Sequence, residues 1–235
     1  MVYLAGIIEA DISIEGNSAC ISPGGYVYGL ARRLRNEVDP RVGLLCPLSN
    51  DGPGRVILES LVHEKLFFDP SLVSSSLTSF IRISDKGGRT TLYSTGSAPV
   101  SAQSQELLDS LRGNSDVDVI VLTSSALYYQ PLYSSLLDAA TFLEPRPSLV
   151  VDVASSSFEH PDEKRYAKQL REAAGYAQLL ILEEEDVPLF AKSDVFSLAP
   201  AVALVRKDGS AILSQDGQKS EIRGGKLEIY RRLFN

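Results

Sequence analysis

Ser22-Pro23-Gly24-Gly25-Tyr26-Val27-Tyr28-Gly29-Leu30-Ala31-Arg32-Arg33-Leu34 is the stretch on which the fold turns. A proline and two glycines run straight into an apolar stripe of Val27, Leu30, Ala31 and Leu34. That is the spacing of a helix with one face on a core. Bare glycines at a helix start leave the first backbone N–H groups open to a hydroxyl-rich or anionic ligand. A plain loop-to-helix turn has the same residues, and a Gly-Gly pair alone does not separate the two.

Upstream, Val2 to Glu9 is a short apolar run that predicts a buried strand, with Gly6 and Asp11 bracketing its end. Asp11 to Ile21 then alternates around Gly16-Asn17, the pattern of a hairpin that leaves the sheet as a flap. Downstream, Arg41 to Pro47 predicts a second buried strand, and Asn50 to Gly54 a loop. The helix Arg55 to Lys65 follows, with Val56, Ile57, Leu61 and Val62 inward and Asp51 as a candidate N-cap. Ser79 to Ser84 and Arg89 to Ser94 alternate around Asp85-Lys86-Gly87-Gly88, a second hairpin expected outside the main sheet.

Beyond Ser101 the pattern is regular. Helices are predicted over Ser101 to Leu111, Pro131 to Phe142, Pro161 to Ala174 and Lys226 to Phe234. Strands are predicted over Val117 to Leu122, Ser148 to Asp152, Leu179 to Leu182, Ala201 to Val205 and Ser210 to Ser214. Such alternation means an α/β/α sandwich on a mostly parallel sheet, with ligands outside the carboxyl ends of the strands. Gly24, Asp51 and Ser124 each follow a predicted strand and so share that edge. The whole chain, 1–235, reads as one such domain, with lid strands near 11–21 and 79–94.

Composition narrows the function. The formal net charge of −7 gives no electrostatic case for a nucleic-acid partner. No apolar stretch approaches membrane-spanning length, and no basic region precedes the first apolar run. Cys20 and Cys46 fit no zinc or disulfide-framework spacing and read as reduced thiols of a cytoplasmic protein. G-x-S-x-G, G-x-G-x-x-G and the Walker P-loop are absent. The acidic run Glu183 to Asp186 either holds magnesium or is a solvated helix start favoured by the dipole. Ser124 and Ser125 are substrate contacts or loop. Asp152 is a site-edge group or a cap, and His63 and His160 lack metal-ligand spacing.

The order of these parts resembles the ribokinase or PfkB family of sugar and nucleoside kinases. Gly6 and Asp11 on the first strand and lid come first. Pro23-Gly24-Gly25, Asp51-Gly52-Pro53-Gly54, Thr78 to Ile83, Gly88-Arg89-Thr90-Thr91 and Gly96-Ser97-Ala98 follow in order. The resemblance implies a three-layer α/β/α domain with a small β lid that often packs on a second subunit. It also implies transfer of the ATP γ-phosphate to a sugar or nucleoside hydroxyl, with magnesium. By resemblance Asp11 accepts from substrate hydroxyls, and Gly24 and Gly25 lie beneath the sugar. Gly29 stands where the family has a substrate-contacting Asn, and Glu185 matches the Glu of the N-x-x-E segment that organises magnesium and phosphates. Gly209 matches a glycine near the nucleotide. The family's T-x-G falls on Leu204-Val205-Arg206, and its G-A-G-D, source of the anion hole and catalytic base, has no counterpart. Gly224-Gly225 is followed by no acid. The alternatives to a kinase are therefore a catalytically inactive sugar-binding relative, or a structural dimer formed through the lid.

Overall fold

The computed structural model describes residues 1–38, 41–74, 80–85, 88–92, 109, 111, 117–128, 130–154, 162–190 and 194–234. In chain order the first half runs β1 (Val2–Ala5), β2 (Glu9–Glu15), β3 (Ser18–Gly24), α1 (Tyr26–Glu37), β4 (Val42–Leu45), β5 (Leu48–Ser49), α2 (Gly52–His63), β6 (Phe67–Phe68), β7 (Val73–Ser74), β8 (Phe80–Asp85) and β9 (Gly88–Leu92). The second half runs β10 (Val119–Thr123), α3 (Ser124–Tyr128), α4 (Gln130–Phe142), β11 (Ser148–Asp152), α5 (Glu163–Tyr176), β12 (Leu179–Glu183), β13 (Ala201–Val205), β14 (Ala211–Gln215), β15 (Gln218–Ile222) and α6 (Gly225–Phe234).

Nine strands form the main sheet in the order β15-β14-β13-β12-β11-β10-β1-β4-β6, parallel from β6 through β13 and antiparallel beyond. Side chains alternate across it. Tyr3, Ala5, Ile120 and Leu122 face α3, α4 and α5, where Leu136, Ala139, Tyr166 and Leu170 are buried. Val2, Leu4, Val119 and Val121 face α1, α2 and α6, where Val27, Leu34, Ile57, Leu61 and Tyr230 are buried. Burial on both faces is what makes these strands uniformly apolar. The result is the expected three-layer α/β/α sandwich. A second sheet, β3-β2-β8-β9, carries both predicted hairpins outside the main sheet.

Several boundaries differ from the sequence reading for local reasons. The run Val2 to Glu9 is not one strand: β1 ends at Ala5, and Glu9 already belongs to the lid. A Cβ on Gly6 would lie 2.4 Å from Thr123 Oγ1 and 2.7 Å from Ser125 Oγ, and the Ile7 N–H donates to Ser125 Oγ at 2.9 Å. The chain is pinned there and turns out of the sheet. Helix α2 starts at Gly52, capped by Asp51, whose Oδ1 accepts from the Gly54 N–H at 2.8 Å. A Cβ on Gly54 would lie 2.2 Å from Ser49 Oγ, so the inner line of α2 is Gly54, Ile57 and Leu61, and Val62 is 65% exposed rather than buried. Strand β15 was not anticipated. Its signal was Asp216-Gly217, where both residues take positive φ (51 and 75) as a tight hairpin requires. Ser79, Lys86-Gly87, Gly96-Ser97-Ala98, most of the helix expected over Ser101 to Leu111, and His160 lie outside the described residues.

Candidate functional site

The carboxyl ends of β1, β10, β11 and β12 deliver Gly6, Ser124, Asp152 and Glu183 to one edge of the sheet, and the organising stretch around Gly24-Gly25 enters from the lid. Glycine is needed at both places in that pair, for different reasons. A Cβ on Gly24 would lie 2.1 Å from Asp11 Oδ2 and 2.3 Å from its Cγ, so the bare backbone is what lets the Asp11 carboxylate lie flat against it. Gly25, the residue before α1, sits at φ 85, a left-handed conformation that a side chain strains.

Asp11 faces Ser22 on β3 and Arg82 on β8. Among the described residues its buried Oδ1 accepts no hydrogen bond; Arg82 Nε stands 4.0 Å away. The Arg82 guanidinium instead closes on Glu9 Oε2 at 2.6 Å, with Glu9 only 2% exposed. The lid therefore presents an acceptor beside a fixed cation, a combination suited to ligand hydroxyls. Glu9 and Arg82 are not marked by any motif in the sequence. The available signal is that Glu9 and Asp11 fall on the same face of β2, as residues two apart do, opposite the lone basic residue of β8. Gly29 is exposed one turn into α1, and a Cβ there would meet nothing within 4 Å. Ser124 is buried at 2% exposure and its Oγ accepts from the Ala154 N–H at 2.8 Å, fastening the exits of β10 and β11 together.

The densest polar cluster of this edge is centred on Lys226, the second residue of α6. Its Nζ donates to Tyr26 Oη (2.8 Å), Asp152 Oδ1 (2.9 Å) and Glu183 Oε1 (3.0 Å), with Val153 O at 3.4 Å. Asp152 is fully buried, and its Oδ2 accepts from Tyr26 Oη at 2.9 Å and Tyr230 Oη at 2.7 Å. Burial on its own would lower the Lys226 pKa, but the Asp152 carboxylate, the Tyr26 phenol oxygen and the Glu183 carboxylate outweigh it and hold the ammonium well above its ordinary range. Burial first, and then Asp152, raise both phenols, so Tyr26 and Tyr230 stay protonated donors at neutral pH.

Gly224 (φ 110) and Gly225 (φ 61) open α6, and the Lys226 ammonium, not an acid, follows these glycines. A Cβ on Gly225 would lie 2.8 Å from Gly209 O, so Gly209, in the exposed turn before β14, backs directly onto this helix start. Glu185 points away from the cluster. It is exposed and pairs with Lys207 at 3.2 Å; its own backbone N–H and then Lys207 hold its carboxyl below the usual range. The neighbouring Asp186, by contrast, is fully buried and accepts from the Glu183 N–H at 2.9 Å. With Glu183 on Lys226, Asp186 on backbone and Glu185 on Lys207, these carboxylates do not fit a magnesium ion. Among the described residues no group of three or more His, Cys, Asp or Glu is arranged to hold a metal.

Two clefts lie elsewhere. One of about 380 Å³ is lined by Arg32, Arg35, His63 and Lys65 at the ends of α1 and α2, and one of about 310 Å³ lies at the amino edge of β11 to β13. Neither holds the residues that the topology brings to the carboxyl edge, where parallel sheets bind ligands.

No family model matches the chain, and no curated protein matches it in sequence. Solved structures do match in shape. The PfkB protein from Polaromonas sp. JS666 superposes with a TM-score of 0.71 at 14% identity, covering 94% of this chain and 81% of that one. Aminoimidazole riboside kinase from Salmonella enterica, complexed with aminoimidazole riboside and an ATP analogue, gives 0.69 at 15% identity over 94% and 76%. Fructokinase from Vibrio cholerae O395, bound to fructose, ADP and calcium, gives 0.71 at 17% identity over 95% and 76%. The chain thus has the ribokinase-like fold of the PfkB-type sugar and nucleoside kinases.

Proposed function

We propose that this chain is a PfkB-type carbohydrate- or nucleoside-binding protein that holds its ligand on Asp11 above Gly24-Gly25 and does not itself transfer phosphate. The observation that carries the ligand half is Asp11 Oδ1, a buried acceptor with no hydrogen bond among the described residues, on a carboxylate whose close approach to the backbone only a glycine at position 24 allows. A sugar or nucleoside diol would supply the missing donors. Lys226 supports the absence of transfer. A general base must accept a proton, whereas an ammonium held between two carboxylates cannot, and both oxygens of Asp152 already accept from donors.

ATP-dependent phosphorylation of a sugar hydroxyl is the second reading. It is favoured by the two glycines that open α6 against Gly209, since a bare helix N-terminus suits a phosphate. In that reading Gly209 borders the nucleotide and Glu185 lies near its magnesium. The lid sheet is the candidate surface for a homodimer. We assign the chain to the cytoplasm on its free thiols, and no helix among the described residues is long and apolar enough to cross a membrane.

A thermal-shift panel of sugars and nucleosides, each with and without MgATP, tests both readings. A ligand that binds only the folded state raises the midpoint by mass action. The binding reading expects a shift from one sugar or nucleoside alone, lost in Asp11→Ala, and no ADP release in a coupled assay. No shift from any hydroxyl ligand refutes it. Steady ADP release dependent on that ligand establishes the kinase instead.

A further inference from the structure

We infer that the Lys226 ammonium is the resident cation of an oxygen cage at the carboxyl edge, standing where a metal ion would otherwise be needed. Four oxygens surround its Nζ: a phenol, two carboxylates and a backbone carbonyl, at 2.8, 2.9, 3.0 and 3.4 Å. They come from α1, from the end of β11 with the residue after it, and from the end of β12. The cage is therefore assembled by the fold and not by one loop. This set of hard oxygen donors, 2.8 to 3.4 Å from the nitrogen, is of the kind that holds calcium or an alkali cation and is too wide for magnesium.

Charge explains why a cation sits there. Asp152 is fully buried and Glu183 is about a quarter exposed, so without a cation two carboxylates would face one small space across low-dielectric surroundings. The ammonium neutralises one of the two charges, and its three N–H groups match the three short contacts. The Tyr26 ring adds a face 5.0 Å from the same nitrogen. Because this cation is covalently part of α6, it cannot leave by dilution. The edge keeps its shape without metal, and the helix is tethered to β11 and β12. The inference is independent of the ligand reading: it concerns what holds the edge together, and its test contains no sugar.

The test compares the full chain with Lys226→Ala and Lys226→Met, using thermal midpoints in calcium chloride, potassium chloride and methylammonium chloride. Tetramethylammonium chloride, too large for the cage, matches ionic strength. The wild-type midpoint is expected to match the tetramethylammonium control in every salt. Lys226→Ala is expected to melt several degrees lower and to regain part of that loss with methylammonium, calcium or potassium. Lys226→Met is expected to melt lower and regain nothing, because its thioether stem fills the space and carries no charge. If Lys226→Ala folds poorly, the same comparison is made on its refolding yield with and without each cation.

Three outcomes overturn the inference: stabilisation of the wild type by calcium or potassium as strong as that of Lys226→Ala, no response of Lys226→Ala to any small cation in either melting or refolding, and an equal response of both variants. Absence of sugar binding leaves this result untouched and overturns only the ligand reading.

Discussion

Asp152→Asn is the perturbation that most directly measures how the carboxyl edge is held. The substitution keeps size and shape but removes a charge that is fully buried and accepts three hydrogen bonds, from Lys226, Tyr26 and Tyr230. One amide oxygen cannot replace two carboxylate oxygens, and the amide NH2 meets donors on at least one side. Removing one partner of a buried ion pair costs about 3–5 kcal/mol, because the other charge stays buried. Lys226 keeps Glu183 at 3.0 Å, which is itself partly solvated, so the lower end applies. For a chain of this size each kcal/mol moves the midpoint by about 2–4 °C, which gives a fall of about 6–12 °C from roughly 3 kcal/mol. The assay is thermal or urea unfolding of the four members of an Asp152→Asn and Lys226→Met cycle. In the Lys226→Met background the ammonium is already gone, and Asp152→Asn should then cost little or stabilise. Equal costs in the two backgrounds, or a fall within about 2 °C, would refute the ion-pair reasoning.

Gly24→Ala should leave the midpoint near wild type but weaken sugar or nucleoside binding about tenfold or more, because its Cβ would displace the Asp11 carboxylate 2.1 Å away; calorimetric titration checks it. Gly25→Ala should instead cost about 1–2 kcal/mol of stability, since φ is 85 there, and unfolding of the two variants side by side separates the effects. Folded pKa values raised for Lys226, Tyr26 and Tyr230 above 10.5, 10.0 and 10.0 mean that the fold favours their protonated forms. Their contribution is full below the unfolded values and lost as pH climbs through the folded ones. Urea midpoints should therefore not move on their account from neutral pH to about 10, then fall; a rise above that point contradicts the assignment. Burial pushes the Cys46 thiol up to about 12 while Cys20 is exposed, so a thiol reagent at neutral pH should label Cys20 in the folded chain and Cys46 only after unfolding.

What the sequence discloses and what it hides follow from distance along the chain. Helix α1 was legible because Val27, Leu30, Ala31 and Leu34 repeat at helical spacing, and all four are buried. The lid was legible because turn chemistry at Gly16-Asn17 is local; Gly16 has φ 61, and Ile12 pairs with Ile21 as the alternation requires. The Lys226 cluster has no such spacing. The lysine meets Glu183 across 43 residues, Asp152 across 74 and Tyr26 across 200, through a sheet order that only folding reveals. Glu185 illustrates the opposite case. A run of four acids offers no phase, and the fold buries Asp186 while leaving Glu185 on the surface with Lys207.

The organising stretch joins the two halves of the edge within three residues. Gly24 ends β3 against Asp11, Gly25 makes the left-handed step, and Tyr26 begins α1 with its hydroxyl in the Lys226 cluster. Asp152 and Lys226 fix Tyr26 from both sides of its oxygen, so the root of the lid strand is anchored before any ligand arrives. Such preorganisation favours binding, because less ordering remains to be done. Phosphoryl transfer makes a different demand: a cation or donor must be free to meet charge that develops on the moving phosphate. Here the available ammonium at the helix start already serves two carboxylates and a phenol. Recruiting it to a phosphate would strip Asp152 and Glu183 of their partner at the same moment. The same contacts that make this edge rigid thus weigh against phosphoryl transfer at Lys226.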